Sequence, residues 1–187
     1  MTGINRFYYP TKYRSRAEVI ALGVKCVFIS YQKKDRDSAI KVAQYLQNAC
    51  IDVYIDVYDT NLKIQHQADN PTAVTKAICA GINNSSHMLA VVSPDTMYST
   101  WVPFEIGYGF DKTELGILCL KGIPKGKLPE YIRAAKVIRD IYDLNNLINT
   151  LSTKKRESLL EAKMMFDHRQ STNPLLNVMD SLVIDTY

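Results

Sequence analysis

Trp101 and Glu105 stand four residues apart, a spacing that puts an indole and a carboxylate on one face of a helix. Such a pair suits a reaction in which positive charge develops. The carboxylate stabilises that charge electrostatically, most effectively in a water-poor pocket, and the indole stacks on a flat ring and excludes water. Taken alone, W-x-x-x-E reads more simply as a surface glutamate beside a core tryptophan. Ser30 ends an apolar run and precedes a helical stretch. It is therefore expected at a helix N-terminus, where free amides and the helix dipole attract phosphates. Lys33 and Lys34 either add charge toward such phosphates or are ordinary solvated lysines. Ser93 closes a second apolar run and either lines a pocket or makes a structural turn. Phe28 and Tyr31 flank Ser30 and are candidates for the same site, partly core. Tyr108 is a candidate for the pocket wall.

Other chemistries lack their residues. His66, His87 and His168 are far apart, without metal-ligand spacing, and His87 opens a strand where a structural role is expected. Cys26, Cys50, Cys79 and Cys119 form no C-x-x-C, so neither a zinc site nor a redox dithiol is signalled. Reduced thiols are expected. No G-x-G-x-x-G follows a strand, no Walker lysine motif occurs, and no G-x-S-x-G marks a hydrolase elbow.

The elements that must position these residues begin at Lys25. Cys26–Ser30 is a continuous apolar run, as a buried parallel strand reads. Asp35–Ala49 carries Ala39, Val42, Ala43, Leu46 and Ala49 at helical spacing. Ile51–Val57 alternates apolar and polar residues, as expected of a strand near a sheet edge. The stretch Tyr58–Asp69 is polar and has no clear period. Asn70-Pro71 then predicts a helix start, with Val74, Ala77, Ile78 and Ile82 facing inward. His87–Val92 and Leu115–Leu120 read as buried strands, and Val137–Ile141 as a weak fifth. Between the third and fourth strands a helix opens near Ser99 or Thr100 and runs through Gly109. Ile141, Leu144, Ile148 and Leu151 form a helical stripe, and Asn173-Pro174 predicts a last short helix. Strand–helix alternation with short links predicts a flavodoxin-like, doubly wound α/β fold. Its sheet is five-stranded and mainly parallel, with helices on both faces and a C-terminal helical extension. In that fold ligands bind beyond the carboxyl ends of the strands, where their order reverses, here between the loops after Ser30 and Ser93. The expected organisation is a lead-in over residues 1–24 with a short helix near Ser15–Leu22, a domain over 25–142, and a helical extension over 143–187 packed on it.

The chain has 187 residues, with 23 Lys+Arg against 19 Asp+Glu and a formal charge of +4. A chain this long can bury roughly 70% of its unfolded surface, so it folds without a metal or disulfide staple. Its 47% apolar content excludes a disordered chain. The excess positive charge is scattered, so nucleic acid is not an expected partner. The N-terminus holds no signal-peptide core, and no window approaches the ~20 apolar residues of a membrane helix. A cytoplasmic location with no membrane contact is expected.

Three stretches together carry a family resemblance. They are Val27-Phe28-Ile29-Ser30-Tyr31, the strand Ile51–Asp56 with its polar loop, and the run from Ser93-Pro94 through Ser99 and Trp101 to Glu105. They resemble a Toll/interleukin receptor (TIR) domain, which opens on an F-I-S-Y strand and ends its third strand in S-P-x-x-x-x-S-x-W-x-x-x-E. The resemblance covers roughly Lys25–Tyr142. The loop Val57–Gln65 departs from it: many TIR domains carry Pro-Gly or a basic residue at its tip, whereas here Lys63 is the one cation and glycine is missing. With its extension, the chain looks like the stand-alone TIR component of bacterial Thoeris anti-phage systems.

That resemblance implies an NAD glycohydrolase or ADP-ribosyl cyclase, with NAD as substrate and no cofactor. Ordinary glycoside hydrolysis needs a second carboxyl group to protonate a poor leaving group. Nicotinamide in NAD is already a cationic pyridinium and departs neutral, so one carboxylate, Glu105, suffices. Phe28, Ser30, Tyr31, Lys33, Ser93, Trp101 and Tyr108 would bind the substrate. The resemblance also implies a cyclic ADP-ribose isomer that activates a separate effector protein, a phage-derived trigger and self-association. Two other readings stay open: a non-catalytic TIR interaction module, and a nucleoside deoxyribosyltransferase-like enzyme that uses a glutamate on a related sheet.

Overall fold

A computed structural model describes residues 2–8, 17, 21, 23, 25–56, 71–96, 99, 101–123, 128 and 130–183. Among them are five parallel strands: β1 (Cys26–Ser30), β2 (Asp52–Tyr54), β3 (His87–Val92), β4 (Glu114–Cys119) and β5 (Lys136–Ile138). They form one sheet in the order β2-β1-β3-β4-β5. The chain winds outward from β1 to β2, then crosses back to β3 on the other side. The order therefore reverses between β1 and β3, as expected from the sequence; in folds of this kind ligands bind beyond the carboxyl ends of the strands at that point.

Every residue of β1 and β3 is buried, which explains their uninterrupted apolar runs. β2 alternates in burial, as an edge strand does. Side chains along each strand point alternately to the two faces, and two apolar layers result. Val27, Ile29, Leu89 and Val91 join one layer with helices α1 (Arg36–Asn48) and α5 (Ile141–Leu151). Phe28, Met88, Ala90 and Val92 join the other, with α2 (Pro71–Asn83), α3 (Val102–Phe110) and α4 (Glu130–Arg133). The predicted stripe on α5 is fully in the core: Ile141, Leu144, Ile148 and Leu151 are all buried. On α2, Ile82 is buried while Ala77 is exposed, so the inward face is narrower than its periodicity suggests.

Residues at both ends of the chain pack on this sheet. Asn5 pairs in parallel with Val53 of β2, Val53 N–H donates to Ile4 O at 2.9 Å, and Arg6 binds Asp52 at 2.9 Å. After α6 (Arg156–Glu161) the chain continues as turns, and the helix expected at Asn173-Pro174 does not form. Asn173 instead anchors a turn. Its amide donates to the carbonyls of Phe166 and Asp167, and its side-chain oxygen accepts from Leu175 N–H. Local side-chain bonds of this kind compete with helix formation. Met165, Leu175, Val178 and Met179 of this tail are buried in the same layer as α1 and α5.

Ala17 and Ala21 are helical, but most of the Ser15–Leu22 helix and the whole Tyr58–Asp69 loop lie outside the described residues. No described helix is long and apolar enough to cross a membrane.

Candidate active site

β1 and α3 bring two of the candidate residues together. Ser30 is the last residue of β1 and shares the sheet face of Phe28, because the two are separated by one full pleat. α3 covers that face through Val102 and Ile106. Glu105 lies in the first turn of this helix, where a carboxylate is favoured by the helix dipole. The helix runs from Val102 with Trp101 at its N-cap and Pro103 in its first turn, close to the opening expected near Ser99, whose Oγ accepts the Val102 N–H at 3.2 Å.

The Ser30 hydroxyl donates to Glu105 Oε2. Both groups are buried: Ser30 is 1% exposed and Glu105 9%. Burial pushes the Glu105 carboxyl up to about 7, and the Ser30 bond pulls it partly back. Among the described residues no cation pairs with Glu105.

The expected helix N-terminus at Ser30 is displaced. Tyr31, Gln32 and a 3-10 turn over Lys33–Asp35 separate Ser30 from α1. Lys33 lies in that turn and lines a shallow depression of about 430 Å3 with Lys34, Arg36 and Asp37. Lys34 reaches Asp95 at 3.3 Å.

Ser93 follows β3 by one residue and so points to the opposite face from Ser30. Its hydroxyl donates to Asp35 Oδ2 at 2.7 Å and accepts from Gln32 Nε2 at 3.1 Å. The Ser93 N–H is held by Thr96 Oγ1 at 2.7 Å. Ser93, Gln32, Lys34 and Asp95 thus tie the β1–α1 turn to the segment after β3, directly over the switch point.

The remaining candidates surround this centre. Trp101 is half-buried at the N-terminus of α3, and its backbone oxygen accepts the Glu105 N–H at 2.9 Å. Its ring meets Phe104 edge-on at 6.1 Å, and Phe104 stacks on Tyr108 at 6.2 Å. Tyr108 exchanges hydrogen bonds with Asn83 of α2. Phe28 is core, stacked on Tyr54 at 5.7 Å. The Tyr31 hydroxyl donates to the backbone oxygen of Asp56, just beyond β2.

Sequence reasoning missed Gln32, Thr96, Phe104 and Asn83. The S-P-D-T run was the available signal for Thr96, since a hydroxyl three residues after Ser93 makes a side-chain turn. No pattern marks Gln32, which acts on Ser93 from 61 residues away.

His87 is buried between Ser86 Oγ at 2.8 Å and Glu114 at 3.2 Å, a structural setting. The Cys26 and Cys119 thiols are pushed up to about 11 by burial. No group of three or more His, Cys, Asp or Glu among the described residues could hold a metal.

This architecture is a doubly wound α/β domain with a buried carboxylate at its switch point. The family model for the TIR domain matches residues 27–147, and the chain belongs to that family. The crystal structure of the TIR domain of Toll-related receptor TRR-2 from the lower metazoan Hydra magnipapillata is similar in fold. It is 20% identical, covers 67% of this chain and 96% of that chain, and gives a TM-score of 0.51. No curated protein matches the chain.

Proposed function

We propose that this TIR domain is an enzyme that cleaves the nicotinamide–ribose bond of NAD, with Glu105 as its catalytic carboxylate. The observation that carries this reading is a buried carboxylate at the switch point, bonded by a neutral hydroxyl and paired with no cation among the described residues. Its charge is left to act on a substrate cation, and the low-dielectric surroundings strengthen that action. In the reaction the bond between ribose C1′ and the pyridinium nitrogen breaks, and its electron pair leaves with neutral nicotinamide. The cationic ribosyl centre is stabilised by Glu105. It is then captured by water, which loses a proton, or by a nucleophile of the same molecule, which closes a ring.

In this reading Trp101 stacks on the nicotinamide or ribose. Lys33 and its basic neighbours face the phosphates. The product is a linear or cyclic ADP-ribose that activates a separate effector in anti-phage defence, after a phage-derived trigger and self-association.

The test is mass spectrometry of NAD products from the purified chain, with and without phage-infected lysate. Nicotinamide release by the wild type and its loss of at least about 100-fold in Glu105→Gln are expected. Full turnover by the variant, or none by the wild type in either condition, overturns the reading.

A second reading is a non-catalytic interaction module. Phe104 and Phe110 of α3, 38% and 54% exposed, favour it. In that case Glu105→Gln leaves signalling intact while Phe110→Ser abolishes it.

A further inference from the structure

We propose that Ser30 is a positioning residue: its hydroxyl holds the Glu105 carboxylate in one orientation, as an anion. The inference deepens the NAD reading in its kinetic part. The bond itself and its effect on Glu105 stand apart from any substrate.

A serine hydroxyl has one proton to donate. In this structure it goes to Glu105 Oε2, so Ser30 is not a donor toward a phosphate. Glu105 sits in the first turn of α3 with its carboxyl enclosed, and an unsatisfied buried carboxylate is costly. Without a cation among the described residues, its charged form depends on the dipole of a nine-residue helix and on this one hydroxyl. Strand alternation fixes the donor's place. Ser30 lies on the face that α3 covers, whereas Ser93 points the other way, toward Asp35. A donor one residue earlier would face α1, and one residue later would lie beyond the end of β1. The hydroxyl acts on the reaction only through Glu105, which makes Ser30 a positioning residue rather than a catalytic one.

Ser30→Ala, Ser30→Cys, Ser30→Thr, Glu105→Gln and the Ser30→Ala/Glu105→Gln pair test this. Two readouts are used: kcat and KM for nicotinamide release against pH, and stability to urea against pH. In Ser30→Ala the rising limb of kcat/KM moves up by about one pH unit, since a hydrogen bond to a charged group contributes at least that much. At pH 7 kcat falls several-fold while KM stays within about twofold, the signature of a group that does not bind substrate. The pH range over which stability declines extends upward by the same amount. Ser30→Cys, similar in volume and a weak donor, behaves like Ser30→Ala should that variant fold poorly. Ser30→Thr restores both profiles. Once Glu105 is Gln, removing the Ser30 hydroxyl moves neither profile further.

A limb and a stability range within about 0.3 pH units of wild type in Ser30→Ala and Ser30→Cys overturn the proposal. Absence of NAD turnover in every variant removes the NAD reading alone, because the stability profiles still decide the role of Ser30.

Discussion

Glu105 carries the largest consequence at the scale of single residues. Its carboxyl titrates near 7 in the folded chain and at about 4.5 in its unperturbed state. The folded state therefore holds a proton that the unfolded chain has released between those values, and stability falls as pH rises through that interval. The loss for this one group reaches about 3 kcal/mol above pH 7. Glu105→Gln should abolish that decline and make the chain more stable than wild type at pH 8, with the gap closing below pH 4.5; urea titrations across that range measure it. The same titration governs activity in the proposed reaction. Only the anion stabilises a ribosyl cation, so kcat/KM for NAD cleavage should rise with pH through about 7. A second expectation concerns the thiols. Cys26 and Cys119 are buried and protonated at ordinary pH, whereas Cys50 and Cys79 are half-exposed. Alkylation of the native chain at pH 8, followed by peptide mass spectrometry, should modify Cys50 and Cys79 and spare the other two. Glu105 and Ser30 each stood out in the sequence, Ser30 for a helix N-terminus that the structure sets several residues further on. The bond between them was not, because it joins positions 75 apart and depends on which strands are neighbours and which face each side chain takes.

Elements were legible where local pattern and tertiary burial agree. β1 and β3 are buried on both faces, so their apolar runs carried the assignment unaided. β2 showed its edge position through alternation. Pattern failed where side chains compete with the backbone. Asn173-Pro174 has the composition of a helix start, yet Asn173 spends its polar atoms on a turn. The placement of α2 depends on Gly81, which no periodicity marks. A Cβ there would stand 2.6 Å from Tyr54 Cε1 and 2.9 Å from Phe28 Cε2. The stacked Phe28–Tyr54 pair fills the space that a side chain needs. Gly81→Ala gains up to about 1 kcal/mol in helix propensity but overpacks this contact at a cost of about 1–3 kcal/mol. Net destabilisation is expected, read as a lower urea midpoint with an unchanged slope.

At the scale of the whole molecule, the tail and the sheet share one core. The Tyr45 hydroxyl, from α1, lies 3.0 Å from both Asn145 Oδ1 of α5 and the Phe166 carbonyl, which share its one proton, and it accepts from Phe166 N–H at 2.9 Å. Asn145 Nδ2 donates to the same carbonyl at 2.9 Å. One hydroxyl thus joins a sheet-covering helix, a second helix and the tail. Tyr45→Phe leaves the part-buried Phe166 N–H without its acceptor and should cost about 1 kcal/mol or more. Limited proteolysis should then cut first within residues 162–183, where the turns lose their anchor. The N-terminal residues have a different consequence. Ile4 and Asn5 run beside β2 and occupy its outer backbone groups. A sheet whose margin is filled by its own chain offers no ladder there for a neighbour to extend. Clipping the first eight residues by a protease would bare that margin, and strand exchange between copies, seen as slowly growing oligomers, is the expected result.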